Sequence, residues 1–381
     1  MAAPPVSASK FQAPALVLLS HGYEAIYERG FCNGVADAGL SFTLVSSDRT
    51  DVAGLRPAVQ TLNLRGSQAE GRSKASKLLN LLRYHLQVMG LVLRRRPVVH
   101  MFGLLHPALL CGVFEGLLWR LFARRYVLTA HDLLPHDRHT AWNRRVFGLS
   151  YRLAHRVVVH TPRMRDELVS MHRVDPARVV VMEHGVEPLA GPLPAREPAD
   201  GCLRLLFFGK VMRYKGVDLL LQALEQMPLP FRLVIAGGCW EPALEQELHA
   251  RIAAHPHAGA IEWRSHYIPE GDIPGLFGAA DALVLPYRHI DQSGILFQSL
   301  RYGVPVVASR VGSFEQYVTA GVGETFAGGD ADALREALLR LHARLAELGP
   351  AQVRAAGQRY EWPQTARVLV PVYTLADGGR P

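Results

Sequence analysis

Three cationic side chains follow the end of a predicted strand within six residues. The apolar run LRLLFFG ends at Gly209, and a helix is predicted to begin after Gly216. The cations between them are Lys210, Arg213 and Lys215. A glycine lets the backbone approach an anion closely, and clustered cations neutralise a diphosphate. The segment predicts a phosphate site, and a solvated basic turn is the alternative.

A second candidate binding segment follows the apolar run ALVLPY. There the sequence DQSGIL (residues 291–296) leads into a helix predicted over residues 293–302. The first N–H groups of a helix lack intrahelical partners, so those near Gly294, Ile295 and Leu296 could hold an anionic or hydroxyl-rich ligand. A helix cap without a ligand is the alternative.

The elements that position these segments alternate between strands and helices. In the first half, strands are predicted for ALVLLS, SFTLVSS, VVHMFG, YVLTAHD, RVVVHTP and VVVMEHGV, with intervening helices that include residues 27–38 and 71–94. In the second half, strands are predicted for LRLLFFG, FRLVIAGG, AIEWRS, ALVLPY and VPVVAS, and helices for residues 216–227, 242–254, 272–279, 293–302, 313–318 and 330–347. This alternation predicts an α/β protein with doubly wound parallel sheets.

A stretch rich in proline, alanine and glycine separates the two halves. It reads LAGPLPAREPADG and predicts a linker over residues 189–201. The N-terminal domain is then residues 1–188, and the C-terminal domain is residues 202–355. Ligands bind beyond the carboxyl ends of parallel strands, so the cleft expected between two such domains is the default site.

Composition excludes several classes of protein. With 49% hydrophobic and 20% charged residues, the chain is not of a disordered or fibrous type. No apolar run reaches the ~18 residues of a membrane span, and the first apolar run favours a strand over a secretory signal. The cysteines lack CxxC spacing, which favours reduced thiols, a cytoplasmic location and no zinc site. They are Cys32, Cys111, Cys202 and Cys239.

The first half of the chain is basic. Residues 1–195 hold 24 Lys and Arg against 14 Asp and Glu, whereas the remainder holds 18 against 20. In the helix predicted over residues 71–94, the leucines Leu78, Leu82 and Leu86 are flanked by cations. Such a surface could rest on an anionic membrane, and a core-facing helix with a solvated polar side is the alternative. Nucleic acid is disfavoured, because the basic stretches lack interleaved aromatics. The flanking cations are Lys74, Lys77, Arg83 and Arg94–Arg96.

These segments, in this order, resemble a known family. FGKVMRYKGVDLLLQAL, LVIAGG, AADALVLPY, YGVPVVASRVGS, YVLTAHDLLPHD and VVVMEHGV are similar to segments of the family 4 retaining glycosyltransferases. RYEWPQTARVLVPVY resembles that family's terminal helix, which crosses back to the first domain; residues 356–381 are assigned to it. The resemblance implies the GT-B fold, with two Rossmann-like domains facing a cleft.

The resemblance also implies a reaction. A nucleoside-diphosphate sugar would donate its hexosyl group to an acceptor hydroxyl with retention, without a metal or another cofactor. Lys210 and Lys215 would offset the charge of the leaving diphosphate as catalytic residues, with Arg213 as a weaker contact. Gly209 and the N–H groups near Gly294 would bind the donor. The backbone near Tyr267 and Ile268 would read the base.

Further site residues follow from the same resemblance. His131 stands where the family places a catalytic histidine that faces the donor sugar. Gly22 lies in the first loop, which approaches the donor. His136 and Asp137 would line the acceptor side, and Glu315 would contact the sugar or ribose of the donor. No side-chain nucleophile is implied.

The sequence departs from the family at one motif. The family carries Glu-x7-Glu across the second segment, whereas Gln298 occupies the second position here and Ile290 the first. Gln298 keeps one carbonyl acceptor for the ribose but loses the charge. Asp291 or Gln292 could replace the first glutamate if the loop shifts by a residue or two.

The resemblance leaves alternatives open. A transferase of exopolysaccharide, lipopolysaccharide or glycolipid assembly in the cytoplasm, peripheral on the inner face of the plasma membrane, is the leading hypothesis. A nucleotide-sugar epimerase or hydrolase of the same fold is the second. A non-catalytic sugar-nucleotide-binding subunit is the third, because a fold by itself does not determine function.

Overall fold

The structure is a computed structural model of the 381-residue chain. It describes residues 15–20, 25–69, 71–104, 110–134, 140–189, 191–192 and 201–374. The contacts of the chain divide it into two compact units. Unit 1 comprises Met1–Met182 and Ala366–Pro381, and unit 2 comprises Glu183–Thr365.

Unit 1 is built on a seven-stranded parallel sheet with the order β3-β2-β1-β4-β5-β6-β7. Its elements are β1 (Leu16–Leu19), α1 (Ala25–Asp37), β2 (Phe42–Val45), β3 (Val59–Leu62), α2 (Lys74–Arg95), β4 (Val98–Met101), α3 (Cys111–Phe122), β5 (Arg125–Thr129), α4 (Ala141–Leu153), β6 (Arg156–Val159), α5 (Pro162–His172) and β7 (Val179–Val181). The strands β1, β2, β4 and β5 are buried at every residue. Helices cover both faces of such a sheet, which is why these strands are continuous apolar runs.

The helices α2 to α5 lie on one face of this sheet. From β3 the chain crosses to β4 and then steps in the same direction to β5, β6 and β7. Right-handed crossovers in one direction place their helices on the same side. One apolar cluster accordingly joins buried side chains from all of them, including Tyr84, Trp119, Phe147 and Leu168.

Unit 2 repeats the architecture with a six-stranded parallel sheet in the order β10-β9-β8-β11-β12-β13. Its strands are β8 (Leu203–Phe208), β9 (Phe231–Ala236), β10 (Ile261–Arg264), β11 (Ala282–Leu285), β12 (Val306–Ser309) and β13 (Gly323–Phe326). Its helices are α6 (Val217–Leu224), α7 (Pro242–Ala253), α8 (Ile273–Gly278), α9 (Gly294–Arg301), α10 (Phe314–Tyr317), α11 (Ala331–Arg344), α12 (Pro350–Gly357) and α13 (Trp362–Thr365). The two parallel sheets confirm the predicted α/β class and its doubly wound organisation.

Backbone pairing places the unit boundaries outside the predicted linker. The N–H of Trp362 donates to the carbonyl of Val186 at 2.9 Å, so the segment before residue 189 packs within unit 2. The last described helix, α14 (Val370–Thr374), belongs to unit 1. There the Tyr373 hydroxyl lies 2.5 Å from Nδ1 of His100, and Arg125 donates to the carbonyl of Val372.

Two strands were not predicted, β3 and β13. Both are edge strands, and their burial is incomplete. β3 has the sequence VQTL and β13 has GETF. Each is short and half polar, so neither shows the apolar run by which the central strands were recognised.

The core-facing interpretation of the leucines in α2 is wrong. Leu78, Leu82 and Leu86 are all exposed. The helix instead buries Tyr84 and Val88, together with Val92, against the sheet. The predicted apolar stripe is therefore on the outer side of the helix.

Candidate functional site

The end of β8 brings the two predicted binding segments of unit 2 together. Gly209 has a positive φ of 101°. A Cβ atom placed on it would lie 3.5 Å from Nζ of Lys215 and 3.6 Å from Cδ1 of Ile295. A Cβ on the neighbouring Gly237 would lie 2.2 Å from the carbonyl oxygen of Gly209, so side chains are excluded where these backbones meet. Gly209 therefore offers bare backbone between the ammonium group of Lys215 and the side chain of Ile295 in the first turn of α9.

The helix at this space is α9, which begins at Gly294 after Ser293. Its Leu296 N–H bonds to the Ser293 carbonyl at 3.2 Å. The N–H groups of Gly294 and Ile295 come earlier in the helix, where intrahelical partners are lacking. Of the three predicted positions, the first two are therefore better placed to donate to an anion.

His184 is a further residue of this site, and it was not among the predicted site residues. A Cβ on Gly294 would lie 3.2 Å from Cε1 of His184. The imidazole stacks on Phe297 of α9, with the ring centroids 5.9 Å apart. It also contacts the ring of Trp362. The only sequence signal was its place at the end of the run VVVMEHGV, a position it shares with other histidines.

The two predicted catalytic lysines have different surroundings. Nζ of Lys215 lies 5.5 Å from the centroid of the buried Tyr287 ring, next to Gly209. Nζ of Lys210 lies 4.0 Å from the ring centroid of Trp240, which is 77% exposed. A cation held over an aromatic face on the surface is weakly bound and can exchange to a phosphate. Trp240 was not predicted.

Two other predicted donor contacts are engaged in surface ion pairs. Arg213 pairs with Glu247 of α7, with a nitrogen–oxygen distance of 3.2 Å. Glu315 lies 3.9 Å from Arg310, and its side chain is largely exposed. Exposed pairs contribute little stability, so they present a small barrier to rearrangement around a ligand.

The residues of the altered Glu-x7-Glu motif lie in the loop before α9 and within α9 itself. The side-chain oxygen of Gln298 accepts from Arg301 at 3.4 Å. The backbone carbonyl of Asp291 accepts from the Ser313 hydroxyl at 2.8 Å, which fixes the loop. Among the described residues, both polar atoms of the Gln292 amide are buried without a hydrogen-bond partner. A buried amide of this kind is suited to a polar ligand.

The loop after β10 holds the two residues expected to read the base. Tyr267 is 79% exposed, whereas Ile268 is buried in the core of unit 2. The preceding His266 approaches Gly238, because a Cβ on that glycine would lie 3.8 Å from its Cα. The Tyr267 loop thus lies beside the loop that follows β9.

In unit 1, His131 lies in a cluster of aromatic rings after β5. Its Nε2 lies 2.6 Å from the carbonyl oxygen of Phe102, and its Nδ1 lies 3.2 Å from Nε2 of His160. His160 in turn places Nδ1 3.0 Å from the carbonyl oxygen of Met182. The Tyr27 ring packs edge-on against His131.

The protonation of this histidine pair follows from its outer partners. Carbonyl oxygens only accept, so the protons lie on Nε2 of His131 and Nδ1 of His160 when both outer bonds form. The facing nitrogens, Nδ1 of His131 and Nε2 of His160, then both lack a proton. A hydrogen bond between them requires one further proton, which gives the pair a net positive charge. Burial opposes that charge and lowers the pKa of His131 to about 4. At neutral pH His131 is therefore uncharged.

Three predicted site residues, Gly22, His136 and Asp137, lie outside the described residues. Within the described ranges, no group of three or more His, Cys, Asp or Glu side chains is arranged to hold a metal ion.

Comparison with protein families identifies the chain. The family described as "Glycosyltransferase Family 4" matches residues 27–188, and "Glycosyl transferases group 1" matches residues 202–344. The chain belongs to the group 1, family 4 glycosyltransferases. The second match contains Gly209, Lys215 and α9, so the described site of unit 2 lies within the family's shared segment.

Similar curated proteins are D-inositol 3-phosphate glycosyltransferases. The protein from Xylanimonas cellulosilytica is 30% identical over 253 residues, which are 59% of this chain and 58% of that protein. The protein from Mycobacterium marinum is 29% identical over 242 residues, which are 59% of this chain and 51% of that protein. The chain thus spans between half and three fifths of the length of these relatives.

Solved structures share the fold at low sequence identity. Anabaena HepE in complex with UDP has a TM-score of 0.71 at 16% identity, covering 94% of this chain and 99% of that chain. The lipopolysaccharide outer core galactosyltransferase WaaB has a TM-score of 0.68 at 13% identity, covering 96% and 100%. These similarities confirm the predicted GT-B fold of the chain.

Proposed function

We propose that the glycosyltransferase moves a sugar from a nucleoside-diphosphate sugar to the hydroxyl of a sugar or lipid-linked acceptor. The observation that carries this proposal is the approach of Lys215 and the N-terminus of α9 to the side-chain-free backbone at Gly209. An ammonium group and a helix N-terminus beside backbone without a side chain suit a diphosphate. One solved neighbour, HepE, is described in complex with UDP-glucose.

In this proposal Lys210 and Lys215 stabilise the negative charge that grows on the departing diphosphate. Such stabilisation is usually the largest contribution to catalysis. No side chain is assigned as a nucleophile, and the anomeric configuration is retained. The reaction needs no metal, because the lysines and the helix N-terminus supply the positive charge.

The biological setting is part of the same proposal. We assign the transferase to the assembly of a bacterial exopolysaccharide, lipopolysaccharide or glycolipid at the inner face of the plasma membrane. Support comes from relatives: the similar curated proteins are named for glycosyl transfer to an inositol phosphate, and WaaB for the lipopolysaccharide outer core.

The first test is a calorimetric titration of the purified protein with UDP, GDP and dTDP, with and without EDTA. One nucleotide is expected to bind selectively and to be insensitive to EDTA. Lys215→Ala should weaken binding by about 10- to 150-fold, since a hydrogen bond to a charged group contributes about 1.5–3 kcal/mol. The matched control is Lys74→Ala in unit 1, which should bind as the wild type does.

Absence of binding to every nucleotide, or equal affinity of K215A and the wild type, would overturn the phosphate site. Turnover of the matching nucleotide sugar then separates the remaining functions. Transfer to an acceptor supports the proposal, whereas consumption of the donor without an acceptor indicates an epimerase or hydrolase. Binding without turnover against any acceptor indicates a binding subunit.

A further inference from the structure

Helix α2 carries two apolar faces, of which the fold uses one. Tyr84, Val88 and Val92 are buried against the sheet. A helix packed on a sheet needs one apolar stripe, and its outer side is normally polar. The outer side of α2 instead carries exposed leucines, mostly spaced by three or four residues. They are Leu78, Leu79, Leu82, Leu86 and Leu93, of which Leu78 is 69% exposed.

Helix α3 repeats this arrangement. It buries Glu115, Gly116 and Trp119 on one side. The opposite side carries exposed apolar residues at intervals of three and four. They are Leu110, Phe114, Leu117 and Leu121, of which Phe114 is 59% exposed.

The two exposed stripes belong to neighbouring helices on the same side of the sheet. The Tyr84 hydroxyl of α2 donates to Oε1 of Glu115 in α3 at 3.2 Å. Val88 and Trp119 join the same core cluster beneath them. Because each stripe is opposite its own buried face, both point away from the sheet. We call the exposed leucines of α2, together with Leu110, Phe114, Leu117 and Leu121, the leucine face.

A shallow groove runs along the α2 part of the leucine face. Its volume is about 560 Å³, and Leu79, Leu82 and Leu86 line it. Arg72 and Arg83 also line it, so apolar side chains and guanidinium groups stand together. This pairing matches a lipid, which has an anionic headgroup above an apolar chain.

The charges around the leucine face have one sign. Helix α2 contains five Lys and Arg residues and no Asp or Glu. The single acidic residue of α3, Glu115, is fully buried. The next helix, α4, contains three Arg residues, no acidic residue and the exposed Trp142. The described surface of these helices is therefore apolar with a cationic margin.

We propose that the leucine face docks unit 1 onto an anionic lipid bilayer. A second copy of the chain fits less well, because a symmetric contact would bring like cations together without acidic partners. Among the described residues, no helix is long and apolar enough to span a bilayer. Helix α2, with 22 residues and a length of about 33 Å, lies along the lipid surface with its leucines among the acyl chains. The docking surface is argued from unit 1 alone. Only its connection with a lipid-linked acceptor rests on the proposed function.

The test is flotation of the full chain with vesicles of phosphatidylglycerol and phosphatidylcholine, compared with pure phosphatidylcholine. Binding is expected to the anionic vesicles and to weaken with salt, because each basic side chain adds to the attraction. The triple variant L78S/L82S/L86S should lower the partition coefficient by about tenfold for each leucine withdrawn from the lipid. Its matched control is V52S/L62S, which removes exposed apolar side chains of unit 1 outside the leucine face.

A second variant separates charge from apolar contact. R94Q/R95Q should weaken binding to anionic vesicles by about tenfold or more and should leave residual salt-independent binding. No flotation with anionic vesicles at low salt would overturn the proposal, as would unchanged flotation of the triple leucine variant. A concentration-dependent dimer that the leucine variant abolishes, without vesicle binding, would assign the face to a second copy instead.

The outcome is independent of the donor site. UDP, GDP and dTDP binding is measured on the same preparations and reports on unit 2. Vesicle binding without nucleotide binding would preserve the docking surface and overturn the donor site. The reverse result would preserve the proposed function and overturn the docking surface.

Discussion

Glu115 is a fully buried carboxyl group between α2 and α3, and it makes the stability of unit 1 depend on pH. The Tyr84 hydroxyl donates to its Oε1, and Nε2 of His85 lies 3.8 Å from the same atom. Burial is the main cause that raises the pKa of Glu115 from 4.5 to about 7, whereas Tyr84 and the charge of Arg65 partly oppose that rise. We predict that Glu115→Gln removes this pH dependence.

The sign and size follow from the two pKa values. Between pH 4.5 and 7 the unfolded chain releases the proton of Glu115 while the folded chain keeps it. Rising pH therefore favours unfolding, and the stability present below pH 4.5 is lost as pH rises through 7. The difference between 4.5 and about 7 corresponds to about 3 kcal/mol.

The assay compares the free energy of unfolding of unit 1 at pH 5 and pH 8 in the wild type and in E115Q. Amide hydrogen exchange of α2 and α3 reports on unit 1 separately from unit 2. The histidines away from Glu115 titrate alike in both proteins, so the difference between them reports on Glu115 together with its neighbour His85. E115Q should be stabilised relative to the wild type by about 2–3 kcal/mol more at pH 8 than at pH 5.

The matched control is Glu167→Gln on α5, whose side chain is partly exposed and pairs with Arg163. It should follow the wild type at both pH values. If the free energy of unfolding changes equally between pH 5 and pH 8 in E115Q and in the wild type, Glu115 does not titrate in this range. The reasoning from its burial is then refuted.

Three further predictions concern the sites themselves. Gly216→Ala should destabilise unit 2 by more than about 3 kcal/mol. A strained backbone at a φ of 70° costs about 1–3 kcal/mol by itself, and the new Cβ would also lie 2.0 Å from the carbonyl oxygen of Pro286. An unchanged melting temperature would contradict this. Gly294→Ala crowds His184, so G294A/H184A should lose less stability than the sum of the single variants, whereas additive losses would exclude the contact. His131 should remain neutral by NMR from pH 8 down to about 4, and titration near 6.5 would show that it is not desolvated.

The central strands, and the helices that alternate with them, could be predicted because burial on both sides of a parallel sheet demands apolar runs. β4, with the sequence VVHM, and β8, with LRLLFF, are of this kind. Two of the four edge strands, β3 and β13, could not, since β3 contains Gln60 and β13 contains Glu324. These two segments become strands through hydrogen bonds to a single neighbouring strand, and their residue types alone do not indicate that they are strands.

The candidate site was predictable only where it is local in sequence. Gly209 and Lys215 are six residues apart, and a strand followed by glycine and cations indicates an anion site by itself. His184 and Trp240 reach the site from other loops, through contacts with Gly294 and Lys210. Such contacts depend on how the loops at the end of the sheet are placed, which spacing along the chain does not encode.

Helix α2 shows most clearly which features the sequence determines and which features depend on the tertiary structure. The amino-acid sequence determined that a helix forms here, predicted over residues 71–94 and found at Lys74–Arg95, that leucines line one side of it, and that cations flank them. Only the tertiary structure decided which side is buried. Both sides are apolar, so periodicity gives the angle between the stripes but not their environment. The crossover from β3 to β4 turns Tyr84, Val88 and Val92 toward the sheet, and the leucines are left at the surface.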